Sequence, residues 1–364
     1  MVSQRKVSKN EQGRGTMIDF TNANKKKKTY AGANGSKISV TYNNEQYMLK
    51  FPSPATRKTD MSYANSCISE YIGCKIFKSI GIPVQEVLLG TYSTESNKKK
   101  LVVACKDFAI NGLVIQDFAS LKNQIIDSER NGYGTELKEI LSTFENQTAI
   151  DSKILSERFW DMFIVDALIG NWDRHNGNWG FLYNSTTDEL TLAPVFDCGS
   201  SLFPQADEDT IREALSNQGQ INDRVFNRPT SAIVQNGKRI NYFQLISSCE
   251  NQDCNEALKR IEPRIDMTEI EAIIDNTPVI SNDHKLFLKT IVKARKERII
   301  DYSYSKLCQS EKQQTKSDHS AELKNFNPST NPARYDAAIL SNTIPPKNPP
   351  TPTDDSTNPY NWFI

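Results

Sequence analysis

The segment "ILSERFWDMFIVDALIG", residues 154–170, constrains the fold most. Read as a helix, it places Phe159, Phe163 and Ala167 on one face, with Trp160, Ile164 and Leu168 beside them. A face that broad belongs inside a core. Gly170 ends the helix and delivers the polar loop "NWDRHNGNWGF", residues 171–181.

The rest of the chain supplies the partners for such a core. "KISVTY" and "QYMLKF" flank "NNE" and predict a hairpin with Lys50 near the end of its second strand. A helix is expected over residues 62–80, where Ile68, Ile72, Ile76 and Ile80 recur every four residues. Gly81 and Pro83 terminate it. Strands follow in "VQEVLLGTY" and "KLVVACKDF". Two strands, one helix and two strands predict a small antiparallel sheet with a helix on it, over residues 17–108. Residues 109–310 read as mainly helical, with short strands in "FLYN" and "LTLAPVFD". The expected class is α+β. Residues 1–16 and the Pro/Asn-rich 311–364 are expected to be disordered, and Lys25–Lys28 read as a solvated loop.

Several function classes fall away. The chain's 44 Lys plus Arg balance 44 Asp plus Glu, so no broad basic field awaits nucleic acid. No run approaches the roughly 18 apolar residues of a membrane helix, and the N-terminus lacks the apolar stretch of a secretory signal. Seven cysteines, an odd number lying partly in apolar runs, fit reduced thiols of the cytoplasm better than a disulfide framework. Three histidines in the chain argue against a His-rich metal centre.

The loop after Gly170 carries the chemistry. Asp173 can accept a hydroxyl proton, His175 can place a donor or cation beside a transferred phosphoryl group, and Asn178 can offer an amide oxygen to a metal. Asp197, after the strand-like "LAPVF", adds a second hard oxygen. One or two carboxylates with phosphate oxygens are the ligands Mg²⁺ takes, and phosphoryl transfer needs this assembly. Upstream, "GANGSK" (Gly32, Ala33, Asn34, Gly35, Ser36, Lys37) is either a phosphate-approaching glycine loop or an ordinary turn. A strand lysine, Lys50, held by a helix glutamate, Glu70, under such a loop is how kinases fix the α- and β-phosphates. Loop, lysine, glutamate, strand, acid, asparagine and aspartate occur in the order a kinase requires.

"FWDMFIVDALIGNWDRHNGNWGF" and "LAPVFDCGSSLFPQAD" resemble the catalytic segments of HipA-like serine/threonine kinases, and the likeness extends over about residues 18–305. The resemblance implies a bilobal protein-kinase-like fold, with a sheet-rich N-lobe and a helical C-lobe. It implies ATP- and Mg²⁺-dependent phosphorylation of protein serine or threonine, autophosphorylation included. Asp173 would be the catalytic base, Asn178 and Asp197 the Mg²⁺ ligands, and Lys50 the phosphate anchor oriented by Glu70. The backbone of Val103, Ala104, Cys105, Lys106 and Asp107 would receive adenine, with the Asp107 carboxylate reaching the ribose. About 30 residues precede the glycine loop, so the antitoxin and DNA contacts associated with HipA do not follow from the resemblance. Export into a host cell is suggested by the resemblance alone.

Two alternatives remain at this level. Phosphoinositide-type lipid kinases share a D-R-H-x-x-N loop and a following I-D-x-G. Against them, the stretch after Asp197, "FPQADEDTIREAL", is acidic and suits a basic or neutral protein segment better than an anionic headgroup. A catalytically silent pseudokinase effector is the other, although base and metal ligands are all present.

Overall fold

In the computed structural model, which describes residues 17–30, 36–52, 65–94, 98–126 and 130–325 and side chains to 313, the first hairpin forms where the alternation predicts it. Strands β1 (Ile18–Asp19) and β2 (Asn24–Lys26) precede β3 (Lys37–Tyr42) and β4 (Glu45–Lys50). Asn43 and Asn44 turn the hairpin with φ of 49° and 63°, the left-handed pair a two-residue turn requires. Helix α1 (Ser66–Ser79) follows, then β5 (Val87–Ser93) and β6 (Lys99–Lys106). Among the described residues these strands make one sheet in the order β1-β5-β6-β4-β3-β2. It is antiparallel except at β1, which runs parallel to β5.

The first half of the lysine run differs from its expectation, while Lys27 and Lys28 lie outside any strand. Asn24, Lys25 and Lys26 pair with Thr41, Val40 and Ser39 as an edge strand. Polar and lysine side chains suit an exposed edge, so a stretch that looks like loop by composition completes the sheet.

The second lobe begins with β7 (Leu113–Asp117), α2 (Phe118–Ile125), α3 (Leu137–Asn146) and α4 (Ser152–Ile169). Asp151 caps α4 by accepting from the amides of Lys153 and Ile154, and Gly170 ends it at φ 64°. Strands β8 (Gly180–Asn184) and β9 (Glu189–Leu192) join β7 in a small antiparallel sheet. After β9 come α5 (Glu208–Ser216), α6 (Gln218–Phe226) and the hairpin β10 (Val234–Gln235) and β11 (Lys238–Arg239). Helices α7 (Tyr242–Ser248), α8 (Gln252–Ile261), α9 (Met267–Asp275) and α10 (Asn282–Arg295) follow. A π-helical stretch, Lys296–Asp301, leads into α11 (Tyr302–Asn325). This helix passes residue 311, where sequence composition predicts order to end, because no proline or glycine interrupts it before Asn325.

One core joins α1, β5 and β6 to the helices of the second lobe, with Trp160 and Ile164 of α4 fully enclosed. Each large apolar side chain so buried contributes about 1.5–3 kcal/mol. A smaller core of Phe20, Val40, Leu49, Tyr92 and Val102 covers the other face of the sheet. The compact unit holding both cores ends at Cys308. Among the described residues no helix is long and apolar enough to cross a membrane.

Candidate active site

Lys50 closes β4 and meets two acids. Its Nζ lies 3.1 Å from Glu70 Oε2 on α1 and 3.0 Å from Asp197 Oδ1. Glu70 is 1 % exposed, and a carboxylate that deep persists only when paired. Burial opposes the charge on Lys50, but Asp197 and Glu70 hold its ammonium well above the ordinary lysine range. Burial likewise opposes ionisation of Asp197. The adjacent Lys50 ammonium wins, and the Asp197 carboxyl lies below its usual range.

The loop around Asp197 is shaped by backbone contacts. Val195 donates to the Pro83 carbonyl and accepts from the Gln85 amide, both at 2.8 Å, so the segment ahead of β5 fixes it. Asp197 itself has φ 60°, a conformation residues with a Cβ seldom adopt unless their surroundings impose it. Gly199 permits the approach to Glu70, since an added Cβ there would stand 3.1 Å from Oε2.

One buried ion pair assembles the neighbouring loop. Asp166, in the last turns of α4, accepts from Asn171 Nδ2 at 3.0 Å and Arg174 Nε at 2.9 Å. Arg174 then donates to the carbonyls of Asn178 and Phe196 and to Cys198 Sγ. A single guanidinium thus fastens the 171–178 loop to both flanks of Asp197. Neither Asp166 nor Arg174 is an obvious sequence candidate. The available signal was an aspartate inside an otherwise apolar helix face, eight residues before an arginine.

Asp173 and Asn178 are joined: Asn178 Nδ2 donates to the Asp173 carbonyl at 2.8 Å. With its nitrogen so used, the amide presents Oδ1, the atom a metal would take. The Asp173 carboxylate accepts from Ser200 Oγ at 3.5 Å, which links it to the Asp197 loop. Burial raises its carboxyl above the usual range, as does Asp197, while the Arg239 and Arg174 cations pull it down. His175 accepts from the Gly177 amide at Nδ1, 3.0 Å, so a neutral ring carries its proton on Nε2.

The remaining expected residues fall into three groups. Ser36 and Lys37 enter β3 opposite Lys50, with Lys37 paired to Lys50 in register and the Ser36 carbonyl accepting from Phe51 N. Gly32, Ala33, Asn34 and Gly35 lie outside the described residues. Val103, Ala104 and Cys105 have strand neighbours on both sides. Lys106 N donates to Glu86 O, and Asp107 N to Gln46 O.

Asp107, expected to reach the ribose, meets four protein donors. Its carboxylate accepts from Lys28 at 2.6 Å, Tyr30 at 2.8 Å, Gln46 at 3.1 Å and the Ala109 amide at 3.0 Å. The lysine run therefore also supplies a structural cation, because a buried carboxylate collects donors. Sequence reasoning also missed Phe108, whose ring lies 5.9 Å from that of Phe196. That pair spans the two lobes next to Asp197.

The acidic stretch after Asp197 also has other work. Asp207 caps α5 at Thr210 N, Asp209 pairs with Arg212, and Glu208 accepts from Ser281.

Comparison with known proteins places the whole chain rather than its single residues. The model of the HipA-like C-terminal domain family matches residues 26–271. The serine/threonine-protein kinase CtkA of Helicobacter pylori strain J99 is 50% identical over 291 residues, covering 79% of this chain and 88% of the relative. A crystal structure of a Helicobacter pylori proinflammatory kinase CtkA superposes with a TM-score of 0.75 at 47% identity, covering 80% of this chain and 99% of that one. Sequence and fold together make the chain a kinase that belongs to the HipA-like C-terminal domain family.

Proposed function

We propose that the protein transfers the γ-phosphoryl group of ATP, with Mg²⁺, to serine or threonine hydroxyls of proteins, its own chain included. The observation that supports this most is the position of Lys50 between Glu70 and Asp197. Phosphoryl transfer is mostly positioning and charge stabilisation, and this triad joins the sheet, α1 and the Asp197 loop at one point.

The residues divide the work by their chemistry. Lys50, kept protonated and oriented by Glu70, anchors the α- and β-phosphates. Asp197 and the Asn178 Oδ1 are hard oxygen donors, the type Mg²⁺ accepts alongside phosphate oxygens. When bound, the ion neutralises charge on the phosphates. The Asp173 carboxylate accepts the acceptor hydroxyl's proton as the new O–P bond forms and the β–γ bridging P–O bond breaks, releasing ADP. Its raised pKa strengthens it as a base while burial shields it. His175 Nε2–H offers a donor to the transferred group. Phe108 and Phe196 supply an apolar surface for adenine at the end of β6. Asp107 anchors the segment leading to the glycine loop.

Incubation with labelled ATP and Mg²⁺, offering protein, peptide and phosphoinositide acceptors in parallel, tests the function. Label on serine or threonine is the expected result. Label confined to lipid would assign the lipid-kinase alternative, and bound nucleotide with no label anywhere would assign the silent one.

A further inference from the structure

Two surface elements flank the 171–178 loop, and the chemistry above gives neither of them a role. The first is the loop 130–136. Asn176 Nδ2 donates to the carbonyls of Gly132 and Gly134 at 2.9 and 2.8 Å, which fixes this loop against the catalytic one. Tyr133 is 53% exposed, yet its ring closes on Gly177, where an added Cβ would meet it at 2.9 Å. Its hydroxyl donates to Asp117 at 3.1 Å. A large aromatic ring is thus held open to solvent beside the residues that carry the reaction.

The second element is the β10–β11 hairpin. It is bonded to the first, with Val234 N donating to Thr135 O and Thr135 Oγ1 to Ala232 O, both at 2.8 Å. The Glu136 carboxylate accepts from the Asn236 and Gly237 amides. Lys238 and Arg239 at its end are exposed. Arg239 reaches the catalytic loop itself, donating to the Trp172 carbonyl at 3.2 Å. Both cations line a groove of about 410 Å³ with Gln235, Gln244 and Asn251, and its one anionic lining residue is Glu250.

We propose that this joined surface is the acceptor-docking platform, in which Tyr133 supports the polypeptide beside the reacting hydroxyl and Lys238 with Arg239 binds an acidic residue flanking it. The proposal rests on the kinase function above and adds its substrate class. The chemistry fits a protein rather than a small acceptor. An exposed aromatic ring gives contact area at little entropic loss, and adjacent cations on a polar groove select charge and register more than raw affinity. The partner is therefore an acidic stretch around a serine or threonine. The acids that follow Asp197 do not oppose this, being engaged at α5.

The test uses the full chain with Mg·ATP and three short peptides, each with one serine, flanked by glutamates, glutamines or lysines. The glutamate peptide is expected to exceed the lysine peptide by about tenfold or more in kcat/KM, chiefly through KM. Lys238→Glu should reverse that order. Tyr133→Ala should raise KM for all three without changing their ranking. Fluorescence anisotropy with an alanine-for-serine version of the glutamate peptide should show weaker binding to Lys238→Glu in the absence of turnover. Equal kcat/KM for the three peptides, or a ranking unmoved by Lys238→Glu, overturns the docking platform and leaves the kinase function standing. Phosphate on no peptide and not on the protein overturns both.

Discussion

Gly73 and Cys198 meet with no side chain between them: a Cβ on Gly73 would stand 2.8 Å from the Cys198 Cβ. Helix α1 therefore lies directly on the Asp197 loop, one turn from Glu70. Alanine in a helix interior ordinarily gains about 1 kcal/mol over glycine. Here it must push α1 away, at about 1–3 kcal/mol for overpacking. Gly73→Ala is expected to lower stability in chemical denaturation and to lower kcat, because Glu70 moves with the helix. A stabilised, fully active variant would show that the contact gives way freely.

Lys50→Met leaves Glu70 and Asp197 facing each other without their shared cation. Activity should fall by about a hundredfold or more, the scale of losing one charge-stabilising group. Autophosphorylation followed with labelled ATP provides the readout, and undiminished incorporation would remove Lys50 from its assigned place.

Asp166 and Arg174 form a buried pair whose members hold each other. Removing one leaves an unmatched charge, so Arg174→Met should destabilise by about 3–5 kcal/mol. Adding Asp166→Asn should cost much less than a second independent loss, giving strong non-additivity. Unfolding free energies of the two single variants and the double variant measure it. Simple additivity would mean that the pair does not organise the loop.

His284 gives a pH dependence of stability. The ring is 4% exposed, and burial holds its pKa below 6.5 against the opposing charge of Glu208. The unfolded chain thus binds the proton first, and this contribution is present above pH 6.5 and lost as pH falls through the folded value. Unfolding free energy should decline across that window in the wild type and decline less in His284→Gln. Parallel pH profiles for the two proteins would contradict the assignment.

Much of the site could be read from the chain because its residues are close in sequence or sit on regular elements. Asp173 and Asn178 are five residues apart on one loop, and the β3–β4 hairpin, α1, β5 and β6 follow alternation and helical period. What stayed hidden depends on contacts between distant segments. Lys28 finds Asp107 across 79 residues, and no local pattern announces that. Strand β7 and the β10–β11 hairpin are short pieces stabilised by neighbours rather than by propensity. "LTLAPVFD" reads as one strand, yet β9 stops at Leu192 and only Val195 bridges onward, to Val84. The left-handed turn at Asp197 belongs to the loop's surroundings, which composition does not describe.

The base assignment bears on the whole account. Wild-type protein and Asp173→Ala, incubated with Mg·ATP and mapped for phosphosites by mass spectrometry, test it most directly, with nucleotide binding measured alongside. Phosphoserine or phosphothreonine should accumulate in the wild type and nearly vanish in the variant while ATP still binds. Equal phosphorylation of the two proteins would contradict the account at its centre.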